Sequence, residues 1–383
     1  MKNTLHFKIY PTTELLPENW NTLAVDNIFL STEYLEVLEK SAPKNMICHF
    51  IGIFKDDVLE GIALSQFLNL NKLQSFGKRD KCLKTSVRNF IFKNFSSHVL
   101  FIGNNMLTGQ NAFYFSDKID KNLALKSLKK ASEVLKDIFK NKGQKIHLVS
   151  FKDFDVAEIS DFETSVFEDY FKFSTQPNMV FEIRENWKNF DDYILDLSKK
   201  YRDQYKRARK KSEGIVKKKM NLEDIKNHEK TIYDLYFHVA KNAPFNTFFL
   251  AKNHFSIFKE ILKDDFLFYA YFLEEKLIGF NTLIKNGSVM DTYFLGYDET
   301  MQREKMLYLN MLYDMIAYSI NQGFKEVVFA RTALEIKSSV GAKPVEMFGF
   351  IQHSNSLVNR KIDAIFDYLE PKTEWQARNP FKE

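Results

Sequence analysis

A short phrase occurs twice in this chain, and the repeat limits what it can fold into. Phe54-Lys55-Asp56-Asp57-Val58-Leu59-Glu60-Gly61 returns as Phe272-Leu273-Glu274-Glu275-Lys276-Leu277-Ile278-Gly279. In each copy an apolar run, an acidic pair and a second apolar run predict a β-hairpin with a two-residue turn. A second echo follows each. Asn141-Lys142-Gly143-Gln144-Lys145 ends an amphipathic segment ahead of 146–149, and Asn321-Gln322-Gly323-Phe324-Lys325 ends another ahead of 326–329. Glycine directly after such a segment is a helix stop. Hairpin, helix, stop and strand therefore recur in one order, the mark of a duplicated domain. A tandem fold is expected to bind its ligand in a cleft between the halves.

The length agrees. A chain of 383 residues exceeds one ordinary core and suits two domains of about 150–200 residues. The expected division is 1–174 and 175–383. From Gly61 to Gly143 the first copy spends 82 residues, against 44 from Gly279 to Gly323 in the second. The excess points to an insertion near 70–109, rich in Lys, Asn and Ser.

Several function classes fall away. Cys48 and Cys82 offer neither a disulfide framework nor a metal pattern. His228, His238 and His254 lack ligand spacing, so no metal is expected. No P-loop, G-x-S-x-G or dinucleotide fingerprint is present. His6 and Lys8 interrupt the first apolar stretch, which argues against a signal peptide. No apolar run approaches the roughly 18 residues of a membrane span. A reducing cytoplasm is the expected compartment.

Charge is concentrated. Residues 199–219 hold eleven Lys/Arg against Asp203 and Glu213, a net +9, while the whole chain carries +5. Much of this lies on a predicted helix over 190–211, whose apolar positions Ile194, Leu197, Tyr201, Tyr205 and Ala208 share one face. Lys206, Arg207, Lys210 and Lys211 fall off that face. They are the expected contacts to an anionic partner, either tRNA phosphates or an anionic membrane surface, unless they are only a solvated face.

Each half reads as helices, three antiparallel strands, a helix, a strand, a short helix and a strand. That order resembles the GNAT acyltransferase fold. Two copies in one chain resemble the FemAB-like, CelD (BcsL)-like and peptidoglycan-biosynthesis transferases. Two stretches carry the likeness: the basic helix Leu197–Lys210, and Ala330-Arg331-Thr332-Ala333-Leu334-Glu335-Ile336-Lys337-Ser338-Ser339-Val340-Gly341-Ala342 with its E-x-K. The fold class implied is α/β, a mixed sheet, in two tandem GNAT-like domains packed around a cleft.

The resemblance implies acyl transfer, with the acyl group lying where neighbouring strands splay apart and backbone N–H groups facing the oxyanion. Acetyl-CoA-dependent members hold the pyrophosphate with Q/R-x-x-G-x-G/A at a helix start. Here the stretch is Gly296–Leu307, where Gln302 and Arg303 stand without the glycines and Glu304 follows. Leu295, Gln302 and Arg303 are the donor-binding candidates, and the donor stays open among acyl-CoA, acyl carrier protein and aminoacyl-tRNA. None would be a permanently bound cofactor.

The catalytic candidates are Asp291, Tyr293 and Glu335. Asp291 and Tyr293 alternate on one strand face, continued by Leu295. Asp291 would take the amine proton and Tyr293 would protonate the leaving group. Arg331 sits at a strand end and Glu335 four residues on, close enough to face each other on a helix. Arg331 and Lys337 would clamp a phosphate or carboxylate of the substrate.

The reading is an N-acyltransferase moving an acyl or aminoacyl group to an amine of a cell-envelope, lipid or sugar precursor. It would be cytoplasmic and peripheral at the inner membrane, with a small-molecule or lipid-linked acceptor and no DNA sequence recognition. The alternative is a non-catalytic GNAT-like binding protein that docks tRNA or membrane through 199–219.

Overall fold

Asp56 and Asp57 take φ of 49° and 64°, and Glu274 and Glu275 take 48° and 65°. Positive φ at both central residues is what a two-residue hairpin turn matched to strand twist demands. The likeness continues past the turn. Glu60 is an extra residue opposite Ile53 and Phe54, and Ile278 is an extra residue opposite Tyr271 and Phe272. Each stands immediately before the glycine of its phrase, and each carbonyl accepts a 2.8 Å bond, from Ser116 N–H and from Asp298 N–H respectively. The repeated phrase thus encodes a turn followed by a β-bulge.

The computed structural model describes residues 5–72, 97–162, 164–243, 246–364 and 375–382. Two compact units divide the chain. Unit 1 gathers Met1–Thr175, Pro244–Ala251 and Glu346–Lys372; unit 2 gathers Gln176–Ala243, Lys252–Val345 and Thr373–Glu383.

The first half runs β1 (Leu5–Tyr10), α1 (Thr32–Ser41), β2 (Met46–Lys55), β3 (Val58–Asn69), β4 (His98–Ile102), β5 (Phe113–Phe115), α2 (Lys121–Asn141), β6 (Leu148–Phe154), α3 (Val156–Ser160) and β7 (Phe171–Glu182). Most of the expected insertion, 73–96, lies outside the described residues, as does Cys82. Asp120 caps α2 by accepting from Leu123 N–H. The helix buries Ala124, Leu125, Leu128, Ala131, Leu135 and Phe139, and Gly143 ends it at φ 74°.

The second half runs α4 (Phe190–Asp196), α5 (Lys199–Lys211), β8 (Ile215–Lys219), α6 (Leu222–Asn227), α7 (Glu229–Asn242), α8 (His254–Leu262), β9 (Phe266–Leu273), β10 (Lys276–Asn286), β11 (Val289–Tyr297), α9 (Glu299–Lys305), α10 (Leu307–Asn321), β12 (Glu326–Ala330), α11 (Leu334–Ser338), β13 (Lys343–His353) and α12 (Ser356–Asn359). The second stop, Gly323, takes φ 76°.

The expected single helix over 190–211 is two. Leu197 is extended and pairs with Phe381, while Ser198 N–H bonds Pro380 O at 2.8 Å. The C-terminal tail has captured the groups that would have continued the helix. The apolar face survives the break, with Leu197 and Ala208 fully buried. The strand expected at 165–173 starts only at Phe171, after a 3-10 turn over Thr164–Phe167, and runs on through the one expected at 179–183 as a single strand, β7.

Each unit closes its sheet with a strand from the other half of the sequence. In unit 1 the order is β1-β2-β3-β4-β6-β13, with β5 on β3; in unit 2 it is β7-β12-β11-β10-β9-β8. Residues 348–353 of β13 pair with β6, and 179–182 of β7 pair with β12. Both units therefore hold a mixed sheet, antiparallel except at β4–β6 and β11–β12. Among the described residues no helix is long and apolar enough to cross a membrane.

Candidate functional site

Strand β11 runs the length of β10, but it meets β12 over only three rungs, Val289–Glu326, Met290–Val327 and Asp291–Val328. Beyond Asp291 the parallel strands part. Among the described residues no other strand pairs with 292–297 on that side. Past such a parting a strand presents every second N–H and C=O to whatever lies beside it.

A bulge marks the same place. Asn281 pairs with Leu295 and Leu283 with Thr292, so Tyr293 and Phe294 together face Thr282. The Thr282 hydroxyl donates to Phe294 O at 2.7 Å. Tyr293 and Phe294 both turn toward the helices: Tyr293 packs 5.0 Å from Phe258 of α8, and Phe294 packs 5.6 Å from Tyr236 of α7. Gly296 continues that face, where an added Cβ would lie 2.5 Å from the Tyr236 backbone nitrogen. Leu295 is therefore on the opposite face from Asp291 and Tyr293. The extra residue resets the alternation, which period-2 counting along the sequence does not register.

Asp291 stands at the last shared rung and is 5 % exposed. Burial pushes its carboxyl up to about 7, with Glu326 adding to the rise and a bond from Asn286 opposing it. Its Oδ2 is buried without a hydrogen-bond partner among the described residues. A buried carboxylate oxygen left unmatched costs about 1–3 kcal/mol, so the site favours a proton or a donor from a ligand there.

Tyr293 is turned into the packing beneath α8. Its hydroxyl lies 3.0 Å from Nε2 of His254, a fully buried side chain in the first turn of that helix. This arrangement makes Tyr293 an anchor for the bulge. His254 escaped the sequence reading, which sought metal spacing; its position on the buried face of an amphipathic helix was the available signal.

Strand β12 ends in a run of left-handed backbone: Ala330 at φ 58°, Thr332 at 68° and Ala333 at 49°. Three such non-glycine residues in four store strain, of order 1 kcal/mol each, and strain of this kind gathers at functional sites. Lys337 holds the turn. Its ammonium, 4 % exposed, donates to Ala330 O at 3.2 Å and Arg331 O at 2.6 Å. Burial lowers its pKa to about 7. Those two carbonyls take the donors assigned above to a substrate clamp. Arg331 lies on the turn, half-buried, ahead of the helix. Glu335 does not face it, because α11 begins only at Leu334; Glu335 is exposed and bonds Arg378 of the tail at 2.7 Å. That bond holds its carboxyl below the usual range.

The helix start that would face a pyrophosphate is already capped. Asp298 accepts from Thr300 N–H at 3.0 Å and Met301 N–H at 3.2 Å, at the start of α9. Arg303 is exposed and paired with Glu299 at 2.9 Å, and Gln302 lies in the same short helix. Glu299, Thr300, Arg303 and Glu304 line a depression of about 450 Å³. Two glutamates beside a carboxylate cap repel phosphate. Met306, left-handed at φ 51°, then separates α9 from α10. Asp291 and Tyr293 thus lie within β11, at and just past its last rung with β12, Arg331 and Lys337 follow the end of β12, and Gln302 and Arg303 lie on α9.

Lys206, Arg207, Lys210 and Lys211 are all exposed on α5. Arg209 in their midst is not: it donates to Asp314 at 2.8 Å, which also accepts from Tyr271. Among the described residues no group of His, Cys, Asp and Glu fits a metal ion.

Three solved structures share this architecture at low identity. FemX matches at 13 % identity and TM-score 0.54, covering 93 % of this chain and all of its own. A conserved protein of unknown function from Bacteroides thetaiotaomicron matches at 11 % and 0.51, over 91 % of this chain and all of its own. A tandem GNAT protein from the clavulanic acid biosynthesis pathway matches at 7 % and 0.50, over 91 % and 99 %. The fold is FemAB-like, of the GNAT type. No family model matches the chain, and no curated protein matches it. The parting of β11 and β12 beyond Asp291 is a strand splay of the kind expected from the resemblance.

Proposed function

We propose that the chain is an acyl- or aminoacyltransferase acting on an amine, with its reacting centre where β11 leaves β12. The observation that carries this reading is the juxtaposition at the last shared rung. There a buried carboxyl oxygen of Asp291 without a hydrogen-bond partner among the described residues adjoins the bulge at which β11 leaves β12.

In this reading the acyl carbonyl lies beside β11 past its last rung with β12, and backbone N–H groups at the splay bind the oxyanion of the tetrahedral intermediate. The amine nitrogen attacks the carbonyl carbon. A C–N bond forms, the C–S or C–O bond to the carrier breaks, and the departing thiolate or alkoxide leaves with the electron pair. Asp291, ionised, takes the amine proton; the leaving group gains a proton from the acid so formed or from solvent. Lys337 keeps the left-handed turn in place, and Arg331 on that turn meets an anionic group of the acceptor.

The Asp298 cap and its glutamate neighbours support a donor carried by a macromolecule, aminoacyl-tRNA or acyl carrier protein, over acyl-CoA held by its pyrophosphate. The exposed Lys206, Arg207, Lys210 and Lys211 would meet the anionic partner. The acceptor class remains an envelope, lipid or sugar precursor. The test is to offer purified protein a panel of acyl-CoAs, acylated carrier proteins and aminoacyl-tRNAs with amine acceptors. Transfer that depends on Asp291 is the expected result. Failure of every donor to bind or be consumed would overturn the proposal.

A further inference from the structure

Unit 1 carries the same strands in the same order, so its counterpart of the site can be located rung by rung. Gly61 and Gly279 follow the matching bulges. Four residues on, Ser65 pairs with Ile102 and Leu283 pairs with Thr292; two residues on, Ala63 pairs with Phe113 and Asn281 with Leu295. Phe101 therefore occupies the place of Asp291. Residues 103–112 stand where the two bulge residues Tyr293 and Phe294 stand in unit 2.

These residues form a packed plug. Leu64, the counterpart of Thr282, is bonded at both backbone groups to the ends of the segment, accepting from Gly103 N–H at 3.2 Å and donating to Ala112 O at 2.7 Å. Inside, Asn105 N–H bonds Gln66 Oε1 at 2.7 Å and Asn104 Nδ2 bonds the Tyr34 hydroxyl at 2.7 Å. Asn104, Met106, Leu107, Thr108, Asn111 and Ala112 are all buried. Lys152 of β6, itself buried and paired with Asp153, donates to Asn104 O at 3.1 Å. Its Cγ would lie 2.6 Å from a Cβ at position 103, so only glycine fits there. Strands β4 and β6 also stay paired to Ile102–Phe151, one rung further than β11 and β12.

We infer that the chain takes a single acyl donor, in unit 2, and that residues 103–112 are a built-in occupant of the equivalent place in unit 1. The inference rests on the acyl site proposed for unit 2. Duplication copied the architecture, and the first copy lacks both the early parting of its parallel strands and the carboxylate.

The experiment counts donors and tests the plug separately. Equilibrium binding of whichever donor supports transfer is expected to give one site per full-length chain; two sites would overturn the inference. Lys152→Met and the milder Asn104→Ala are expected to keep kcat and KM within about twofold while lowering thermal stability. A loss of about tenfold in kcat by either variant without loss of stability would also overturn it. Hydrogen exchange reads the plug without any donor. Slow exchange at Asn105 and Met106, accelerated in Lys152→Met, is expected, and fast exchange in the unaltered protein refutes a built-in occupant. Absence of all donor binding with a protected plug would instead remove the acyl site proposed for unit 2, and the single donor with it.

Discussion

The ammonium of Lys337 donates to the carbonyl of Arg331 at 2.6 Å, so the residue expected to clamp a substrate is clamping the backbone that presents Arg331. The bond crosses a turn with three left-handed non-glycine residues, which the flanking strand and five-residue helix could not hold alone. Lys337→Met leaves two carbonyls short of a donor in a buried site. The expected outcome is a loss of transfer of at least about tenfold in kcat/KM with a destabilisation of roughly 1–3 kcal/mol. Lys337→Arg is expected not to rescue, since a larger head group enters a site only 4 % exposed. Steady-state kinetics beside thermal unfolding checks both statements.

Asp291 gives a pH signature with opposite effects on rate and stability. Its carboxyl, raised from 3.8 to about 7 by burial, binds a proton in the folded chain that the unfolded chain sheds. Folding stability therefore falls as pH rises between those values. Asp291→Asn is expected to melt higher than the unaltered protein at pH 8, by roughly 2 kcal/mol, and equally at pH 3. As the base for transfer the group must be ionised, so the rate is expected to climb through about pH 7 and to lose that limb in the variant. An unchanged pH–rate profile in Asp291→Asn would exclude it as the base.

Unit 1 is expected to be acid-labile. His49 and His147 are both lowered to about 4, each chiefly by burial, with Lys142 acting on His49 and with His98, His353 and Lys145 acting on His147. A histidine depressed in the folded state stabilises above its unfolded value of 6.5, and that stability is lost as pH falls toward 4. His147 is only partly buried, which screens its share; roughly 1 kcal/mol per histidine is expected to be lost by pH 5. His147→Gln should flatten the dependence of the unit 1 melting transition on pH between 7 and 5.

The acidic hairpin turns are a reserve of stability. Glu274 and Glu275 hold positive φ at a cost that Asn and Gly avoid. Replacing the pair by Asn-Gly is expected to stabilise unit 2 by about 1 kcal/mol, measured by denaturant titration, with activity unchanged.

The duplication was legible in the sequence because turn, bulge and helix stop are local devices, each written in a few adjacent residues. Phe54–Gly61 and Phe272–Gly279 match in the structure down to the extra residue before each glycine. What escaped was decided over long separations. Glu335 bonds Arg378, 43 residues on, instead of Arg331. The helix through Leu197 breaks because Phe381 and Pro380 pair there. The excess in the first half was read as one insertion, yet part of it, 103–112, occupies the bulge position, a fact that only strand register exposes. Tyr293 and Asp291 share a face as expected, but the Tyr293 hydroxyl meets His254, whose role depends on how α8 packs.

The reciprocal use of β7 and β13 has a consequence for handling this protein. A gene cut at its midpoint would yield two products, each exporting the strand its partner needs and missing the one it needs itself. Fragments 1–189 and 190–383 are thus poor candidates for separate expression, since each would expose a sticky sheet margin. Mixed together during refolding, they could complement each other in trans and restore what neither holds alone.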